Sequence, residues 1–260
     1  RAEADALEPK ALKYLHEAGR HALERFADRE AVSYLKLALD RWTSDATVPH
    51  AVLIADLARA YQRIGEYDEA IALWTRLLPA EITPETAASA AATHRRLGQA
   101  YYWSGWYAEA LQHYNIGIEV LAGRGGAAEA ALRLAAGVCL QELGRAPEAG
   151  EEIEAARRIA EEAGDTALLA RAHRSLLLLR IWTGPPDEAR LHGARAAQLA
   201  RETGDTTTEF FSGWGLAVLE GLTGHTDTMA AHVGLIERIA DRQRSPLLRL
   251  WTAELSIEMA

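Results

Sequence analysis

One short motif recurs along this chain at a nearly constant interval. The stretches GEYDEA, GWYAEA, GRAPEA, GPPDEA and GHTDTM start 39 or 40 residues apart, at Gly65, Gly105, Gly144, Gly184 and Gly224. An earlier copy, FADREA, ends at Ala31 and has Phe26 in place of the glycine, and the stretch from Ser245 onwards begins a seventh copy. A fixed period of this length is typical of solenoids, in which each repeat is one supersecondary unit that stacks on its neighbours.

Each part of the motif suits the junction between two helices. Glycine is favoured just after a helix because that position takes the left-handed backbone region, which is open to a residue without Cβ. The acidic residues and prolines that follow are favoured in the first turn of a helix, where the dipole is positive and a missing N–H is harmless. The alanine that closes the motif is small, as a close crossing of two helices requires. The motif therefore predicts a helical hairpin in each repeat.

A second kind of turn recurs between the motifs. The stretches AEEAGDTALL and ARETGDTTTE place Asp165 and Asp205 forty residues apart, each directly after a glycine and positioned to cap the following helix. In EITPETAA, we expect Thr83 to be the N-cap and Pro84 the first helical residue. The stretch GRGG, residues 123–126, is interpreted as a turn because it lacks the Gly-Lys-Ser/Thr ending of a phosphate-binding loop.

The composition favours an all-α chain. Of the 260 residues, 49% are hydrophobic, and only three are Phe, while Ala, Leu and other helix formers dominate. We therefore predict a right-handed α-α superhelix of about six helical hairpins with a 39–40-residue period, followed by one further helix. We expect a single domain over residues 1–260, which is a fragment of a longer multidomain protein because helix-like patterns run to both ends.

Charge and hydropathy narrow the functional classes. The formal net charge is −9, with 28 Lys and Arg against 37 Asp and Glu, which argues against nucleic-acid binding because that function needs a basic face. The most apolar run, SLLLLRIW, is interrupted by Arg180 and is too short to cross a bilayer. The single Cys139 cannot form an internal disulfide, fits a reducing compartment and is interpreted as a small buried hydrophobe. We expect a cytoplasmic protein that binds neither nucleic acid nor membrane.

The sequence carries no signature of a catalytic or metal site. None of the nine histidines forms an i, i+4 pair, since His16 and His21 are five residues apart and His225 and His232 seven. No nucleophile elbow surrounds a Ser or Cys. We therefore expect no enzymatic activity, no metal and no cofactor.

Aligned on the glycine motif, the repeats resemble tetratricopeptide repeats. Two units match the signature at nearly every position, through Leu57-Ala58, Tyr61, Gly65, Tyr67, Ala70 and Trp74, and through Leu97-Gly98, Tyr101, Gly105, Tyr107, Ala110 and Tyr114. The period exceeds the family's usual 34 residues, so helices or turns must be longer. A HEAT-like array has the observed period but does not explain the Gly-x-Tyr-x-Glu-Ala turn.

Two stretches of the sequence resemble a narrower group of repeat proteins. Residues 14–42 and 156–173 resemble the repeat regions of large bacterial signalling ATPases, namely nucleotidyl cyclases and LuxR-type regulators. That resemblance implies a region that binds a partner or effector and restrains ATPase and output domains.

In tetratricopeptide proteins the first helix of each pair lines a concave surface that holds ligands. The resemblance therefore implies a partner-binding set of arginines and aromatic residues, namely Arg59, Arg63, Arg95, Gln99, Tyr102, Trp103, Arg171, Arg174, Trp182, Phe211 and Trp214. Such a mixture suits an acidic or extended peptide, or a small polar ligand. A tryptophan in a helical array also packs in the core, and we assign Trp42, Trp74 and Trp251 to packing.

We therefore expect a non-catalytic protein-interaction scaffold of a bacterial signalling or transcriptional regulator that binds a partner segment, including other domains of the same protein, in a concave groove. One alternative is an effector-sensing domain in which Trp103, Trp182 or Trp214 stacks on a small molecule. Another is a catalytic accessory domain, for which the sequence offers only fold-level analogy. Gly213 and Gly215 allow either close helix contact, which we favour, or room for a ligand beside Trp214.

We also expect the last helix to leave an apolar face exposed. Leu248, Trp251 and Leu255 lie on one stripe of that helix and should be partly bare, which would permit self-association.

Overall fold

The computed structural model describes the backbone of residues 2–44 and 46–258 and the side chains of residues 10–44 and 46–255. Within these ranges the chain forms thirteen α-helices and no strand. They are α1 (Ala2–Glu24), α2 (Asp28–Asp40), α3 (His50–Ile64), α4 (Tyr67–Thr75), α5 (Ala87–Trp103), α6 (Tyr107–Leu121), α7 (Ala127–Glu142), α8 (Ala146–Glu162), α9 (Thr166–Thr183), α10 (Pro186–Thr203), α11 (Thr206–Leu222), α12 (Thr226–Gln243) and α13 (Pro246–Glu258). The predicted six helix pairs with one further helix are confirmed. No helix of the described part is long and apolar enough to cross a membrane.

The packing divides the chain into two compact units, Arg1–Leu121 and Ala122–Ala260. In the first unit, helices α1 to α6 form three hairpins, with α2 packed on α3 and α4 on α5. In the second unit, α7 to α12 form three hairpins, with α8 packed on α9, α10 on α11 and α13 on α12. Within each unit every hairpin therefore packs on the next, as a helical repeat requires. The single domain over residues 1–260 stays a prediction.

In five of the six hairpins the alanine that closes the motif is buried, and the sixth has Met229 at this position. Five alanines hold this position and all are 0% exposed, namely Ala31, Ala70, Ala110, Ala149 and Ala189. Their complete burial fits the predicted reason for alanine here, since a larger side chain at a close crossing would push the two helix axes apart.

A second close contact joins the two helices through residues sixteen positions apart. A Cβ on Gly98 would lie 2.5 Å from the ring of Tyr114, and one on Gly137 would lie 2.5 Å from Ile153. In the hairpin of α9 and α10 the order is reversed: Leu177 is the large residue, and a Cβ on Gly193 would lie 3.2 Å from its Cδ2 atom and 2.6 Å from Leu216 of α11. The crossing therefore needs one small residue, and either helix of the pair supplies it.

The predicted turns are largely confirmed. Gly65, Gly105, Gly144 and Gly224 have φ angles of 84°, 83°, 72° and 78°. Gly184 differs, with φ −134° and ψ 178°, because Pro185 follows and forces the residue before it towards extended backbone. The predicted left-handed conformation was therefore wrong for this residue.

The two aspartate caps form as predicted, but the start of α5 does not. Asp165 accepts a hydrogen bond from the backbone N–H of Leu168 at 2.9 Å, and Asp205 does so from Thr208 at 3.0 Å. Helix α5 begins at Ala87, three residues later than predicted from Thr83 and Pro84. The intervening residues form a turn in which the backbone N–H of Thr83 donates to the hydroxyl of Thr86 at 2.8 Å.

The residues assigned to packing are buried in the core or pack against it. Trp74 is 5% exposed and Cys139 is 0% exposed, and burial raises the pKa of the Cys139 thiol to about 12. Trp42 packs against the core of the first unit and donates its indole N–H to the carbonyl of Val48 at 2.9 Å. Gly213 and Gly215 allow close helix contact, because a Cβ there would lie 2.7 Å from Ile236 and 2.8 Å from Leu177.

Of the three residues of α13 that were expected to be partly bare, Leu248 and Trp251 are half-buried and Leu255 is buried. Leu255 is 2% exposed, packed with Phe210 and Ile236, so the expectation that it is partly bare was wrong. Leu248 and Trp251 pack partly against the same cluster, because the stripe that the three residues share faces α11 and α12. Among the side chains of α13 that the structure describes, the exposed large hydrophobic ones are Leu247 and Leu250, at 60% and 68%.

Candidate ligand-binding site

The first unit contains a cavity of about 440 Å³ between α3 and α5. Its wall is formed by Leu23, Arg59, Gln62, Arg63, Tyr67, Arg96, Gln99 and Trp103. Trp103 is 60% exposed, so the cavity is open to solvent on that side. Four of these residues belong to the predicted partner-binding set, namely Arg59, Arg63, Gln99 and Trp103.

Helical spacing explains why these side chains converge. Arg59 and Arg63 are four residues apart on α3, and Arg96, Gln99 and Trp103 follow at intervals of three and four on α5. Residues at those intervals lie on one face of a helix. Each helix thus contributes one polar face to the cavity wall.

Three contacts hold the guanidinium of Arg63 in place. Its Nε atom lies 2.9 Å from a carboxylate oxygen of Asp28, and its Nη1 donates to the carbonyl of Leu23 at 2.9 Å. The guanidinium also lies 4.7 Å from the centre of the Phe26 ring. Phe26 occupies the glycine slot of its repeat in a left-handed conformation, with φ 59°, and its ring stays 81% exposed despite this cation–π contact.

Arg59 is held by a buried carboxylate. Asp56 is 2% exposed and forms an ion pair with Arg59. The other oxygen of Asp56 lies 2.8 Å from Nε2 of His16 on α1. This network joins α1 to α3 and keeps the Arg59 guanidinium at the cavity wall.

Arg96 differs from the other two arginines because it has no carboxylate partner. None of the ion pairs in the described part of the chain involves it, and its hydrogen bond is a 3.4 Å contact from Nη1 to Oε1 of Gln99. Burial lowers the pKa of the Arg96 guanidinium, and the positive charges of Arg95 and Arg59 lower it further. A partly desolvated cation therefore faces the cavity among like charges.

The predicted residues Tyr102 and Arg95 lie beside the cavity rather than in its wall. The ring of Tyr102 meets that of Trp103 edge to face with centroids 5.4 Å apart, and Arg95 acts on Arg96 through its charge. The wall residues that sequence reasoning missed are Leu23, Gln62, Tyr67 and Arg96. Gln62 and Arg96 are three residues from predicted members, so helical spacing would have found them, whereas Leu23 belongs to another hairpin.

In the second unit, part of the predicted set gathers around α13. The guanidinium of Arg174 lies 6.0 Å from the centre of the Phe211 ring. The rings of Phe211 and Trp214 meet Trp251 edge to face with centroids 5.9 and 5.4 Å apart. Trp182, in the last turn of α9, is 73% exposed, and Arg171 is exposed on the same helix. A binding role for these residues stays a prediction.

Two histidine pairs were not predicted from the sequence. The Nδ1 atoms of His94 and His113 lie 3.0 Å apart, and those of His173 and His192 lie 2.9 Å apart. Each pair joins the two helices of one hairpin, and burial is the main cause that lowers the pKa of all four imidazoles. The signal in the sequence was the equal spacing of nineteen residues within both pairs. Among the described residues, no group of three or more His, Cys, Asp or Glu is arranged to hold a metal ion.

Several solved structures share this fold. The apo form of RapI superimposes with a TM-score of 0.75 over 95% of this chain and 97% of its own, at 14% identity. A Rap protein complexed with Competence and Sporulation Factor gives a TM-score of 0.65 over 99% of this chain and 77% of its own, at 16% identity. A signal transduction ATPase with a tetratricopeptide repeat sensor, from Pyrococcus horikoshii, gives 0.69 over 94% of this chain and 38% of its own, at 16% identity.

No protein-family profile and no curated protein sequence matches the chain. The likeness therefore concerns the fold, and it includes the repeat sensor of a signalling ATPase, the kind of protein that the sequence resembles. The thirteen helices, their pairing and these structural neighbours together give the chain a tetratricopeptide-like helical-repeat fold.

Proposed function

We propose that this chain is a non-catalytic interaction module of a bacterial signalling or transcriptional regulator, and that it binds a segment of a partner protein. The cavity of the first unit is then part of its binding surface. The observation that carries the proposal is the juxtaposition of Arg96, which lacks a carboxylate partner, with the exposed indole of Trp103. Arginine and tryptophan are the residues most enriched among the dominant contacts of protein interfaces.

The structural neighbours support the same class of function. One Rap protein of this fold was solved in complex with Competence and Sporulation Factor, and the repeats of the signal transduction ATPase are described as a sensor. A regulator of this kind works in the cytoplasm, and its partner segment belongs either to another protein or to another domain of the same one. Self-association through α13 is a separate proposal, tested below.

A second candidate function is the sensing of a small effector. The volume of about 440 Å³ lies within the range of about 300–1,000 Å³ that small-molecule sites occupy. In that case the ring of the effector stacks on Trp103, and its polar groups meet Arg96 and Gln99. Both candidates use the same residues, so the identity of what is bound separates them.

Affinity capture with a matched set of variants tests the proposal. The immobilised chain is exposed to extract of the source cells, and mass spectrometry identifies both the proteins and the small molecules retained. The double variant Arg96→Ala/Trp103→Ala is expected to lose the partner. The control is Arg76→Ala, which removes one positive charge from the first unit outside the cavity. Arg76 is exposed and directly follows α4, so this variant is expected to retain the partner. Equal capture by all three proteins would contradict the proposal.

A further inference from the structure

The cavity has more positive than negative charge in its immediate surroundings. The charges of Arg59 and Arg63 are matched by Asp56 and Asp28. Arg95 and Arg96 take part in none of the ion pairs of the described residues, and the two are close enough that the charge of Arg95 acts on Arg96. Two positive charges, Arg96 in the cavity wall and Arg95 beside it, thus remain without a carboxylate partner.

This excess is unusual in a protein whose formal net charge is −9. A guanidinium removed from water without an anionic partner is unfavourable. Two carboxylates of the first unit neutralise the charges of other arginines instead. Asp56, which is 2% exposed, pairs with Arg59, and Asp28 pairs with Arg63. The site is therefore suited to an anion that the ligand itself supplies.

The excess positive charge at the cavity favours an anion that carries more than one negative charge. A phosphate monoester carries about −1.5 to −2 near neutral pH, whereas a single carboxylate carries one negative charge. Arginine binds phosphate through two parallel hydrogen bonds. A long acidic segment would be repelled by the overall negative charge of the protein, but one dianion placed among Arg59, Arg95 and Arg96 meets a locally positive field.

We propose that the cavity binds a phosphorylated side chain of the partner segment, with the phosphate on Arg96 and Arg59 and the apolar part of the residue against Trp103. This inference rests on the proposed function, since it specifies the group that the partner places in the cavity. Gln62, Gln99 and Tyr67 line the remaining wall and offer further hydrogen bonds to the phosphate oxygens.

Calorimetric titration of the full chain with phenyl phosphate tests the chemistry directly. Phenyl sulfate has the same shape and one charge fewer, so it is the matched probe. We expect phenyl phosphate to bind at least tenfold more tightly than phenyl sulfate, as two unmatched cations require. Equal affinities for the two probes, or no binding of phenyl phosphate, would overturn the inference.

A set of variants assigns the binding to the cavity. Arg96→Ala is expected to weaken phenyl phosphate binding at least tenfold, and Arg96→Lys, which keeps the charge but loses the bidentate geometry, to weaken it less. Arg76→Ala is the control and should bind as the wild type does. Circular dichroism and thermal unfolding of each variant establish that the fold is intact. Wild-type affinity in a folded Arg96→Ala variant would overturn the inference.

Phosphatase treatment of the cell extract separates this inference from the proposed function. If phosphatase treatment abolishes partner capture, and phenyl phosphate competes with the partner from untreated extract, both the proposed function and the phosphate inference stand. If the partner is still captured after treatment, through Arg96 and Trp103, the function stands and the phosphate inference fails. If only a small organic phosphate is recovered, the chemistry stands but its source is an effector, so the partner-segment form of the inference fails.

Discussion

Arg244 is a residue in a backbone conformation that its side chain disfavours. It ends α12 in the left-handed region with φ 49°, at the position that Gly204 and Gly164 hold forty and eighty residues earlier, respectively. The left-handed conformation costs a residue with a Cβ about 1–2 kcal/mol, and glycine avoids this cost. Glycine also makes the unfolded chain more flexible, which offsets part of the stabilisation. We expect Arg244→Gly to raise the free energy of unfolding by about 0.5–1 kcal/mol, measured by urea denaturation.

The reverse change provides the control. Gly204 has φ 70° at the end of α10 and open space around its Cα, so Gly204→Ala tests backbone strain without a steric clash. It is expected to lower the free energy of unfolding by about 1 kcal/mol. An unchanged stability in both variants would mean that the left-handed conformation does not hold at these helix ends.

Gly98 is limited by space rather than by backbone conformation. A Cβ there would lie 2.5 Å from the ring of Tyr114, and overpacking of this kind costs about 1–3 kcal/mol. We expect Gly98→Ala to be destabilised by that amount in chemical denaturation. Gly150→Ala is the matched helical control, because its nearest contact would be an ordinary 3.5 Å.

At the scale of a hairpin, the small and large residues at the crossing should be exchangeable. The pair Leu177 and Gly193 already shows the reversed order of Gly98 and Tyr114. We therefore expect the double variant Gly98→Leu/Tyr114→Gly to be more stable than Gly98→Leu alone, with a favourable coupling energy in a double-mutant cycle. Strict additivity of the two changes would show that the residues do not share one crossing point.

The histidine pair in the hairpin of α9 and α10 makes its stability depend on pH. Burial, followed by the charges of His192, Arg157 and Arg195, lowers the pKa of His173 to about 4, while Glu154 opposes the shift. The pKa of its partner His192 is lowered mainly by burial, with Arg157 and Arg180 acting in the same direction and Glu154 and Glu188 against it. The unfolded chain, with a histidine pKa of about 6.5, therefore binds more protons than the folded chain below that pH.

The stabilisation by neutral His173 is complete above its unfolded pKa and decreases as the pH falls from about 6.5 towards 4. We expect a loss on the order of 1–2 kcal/mol from this residue over that window. Urea denaturation of the wild type and of His173→Gln at pH 7.5 and pH 4.5 measures it. The variant should lose less stability on acidification than the wild type, and an equal loss in both proteins would contradict the assignment.

The helices could be predicted from the sequence because every repeat carries its own local signals. Gly65 and Gly105 end helices through backbone conformation, and Asp165 and Asp205 cap helices through neighbouring N–H groups. Gly184 was predicted wrongly because Pro185 imposes a stronger restriction than the repeat pattern does. Local chemistry thus determines where the helices begin and end.

The site was less predictable because it depends on contacts between hairpins. The register on α3 and α5 identified Arg59, Arg63, Gln99 and Trp103, which all line the cavity. It did not reveal that Arg59 and Arg63 have carboxylate partners on or beside their helices while Arg96 has none. The pair of Asp56 and Arg59 is local, three residues apart on α3, whereas the pair of Asp28 and Arg63 arises from tertiary packing. The lack of any such partner is what makes Arg96 the central residue of the site.

For the whole molecule, self-association is predicted to depend on α13. Up to residue 255, where the described side chains end, its exposed large hydrophobic residues are Leu247 and Leu250, whereas Leu255 is buried. We expect light scattering to show a mass above that of the monomer at high protein concentration, and Leu247→Lys/Leu250→Lys to restore the monomer. Leu191→Lys on α10, where Leu191 is 68% exposed, is the control. A wild-type mass that stays monomeric at every concentration would contradict self-association.

Hydrogen–deuterium exchange of the whole chain, with and without its captured partner segment, tests the central claim most directly. If the segment binds in the cavity of the first unit, backbone amides of α3 and α5 should gain protection, above all near Arg59, Arg63, Arg96 and Trp103. The Arg96→Ala/Trp103→Ala variant should show no such gain at the same segment concentration. Protection confined to α7 through α13, or present unchanged in the double variant, would contradict the claim that this cavity is where the partner binds.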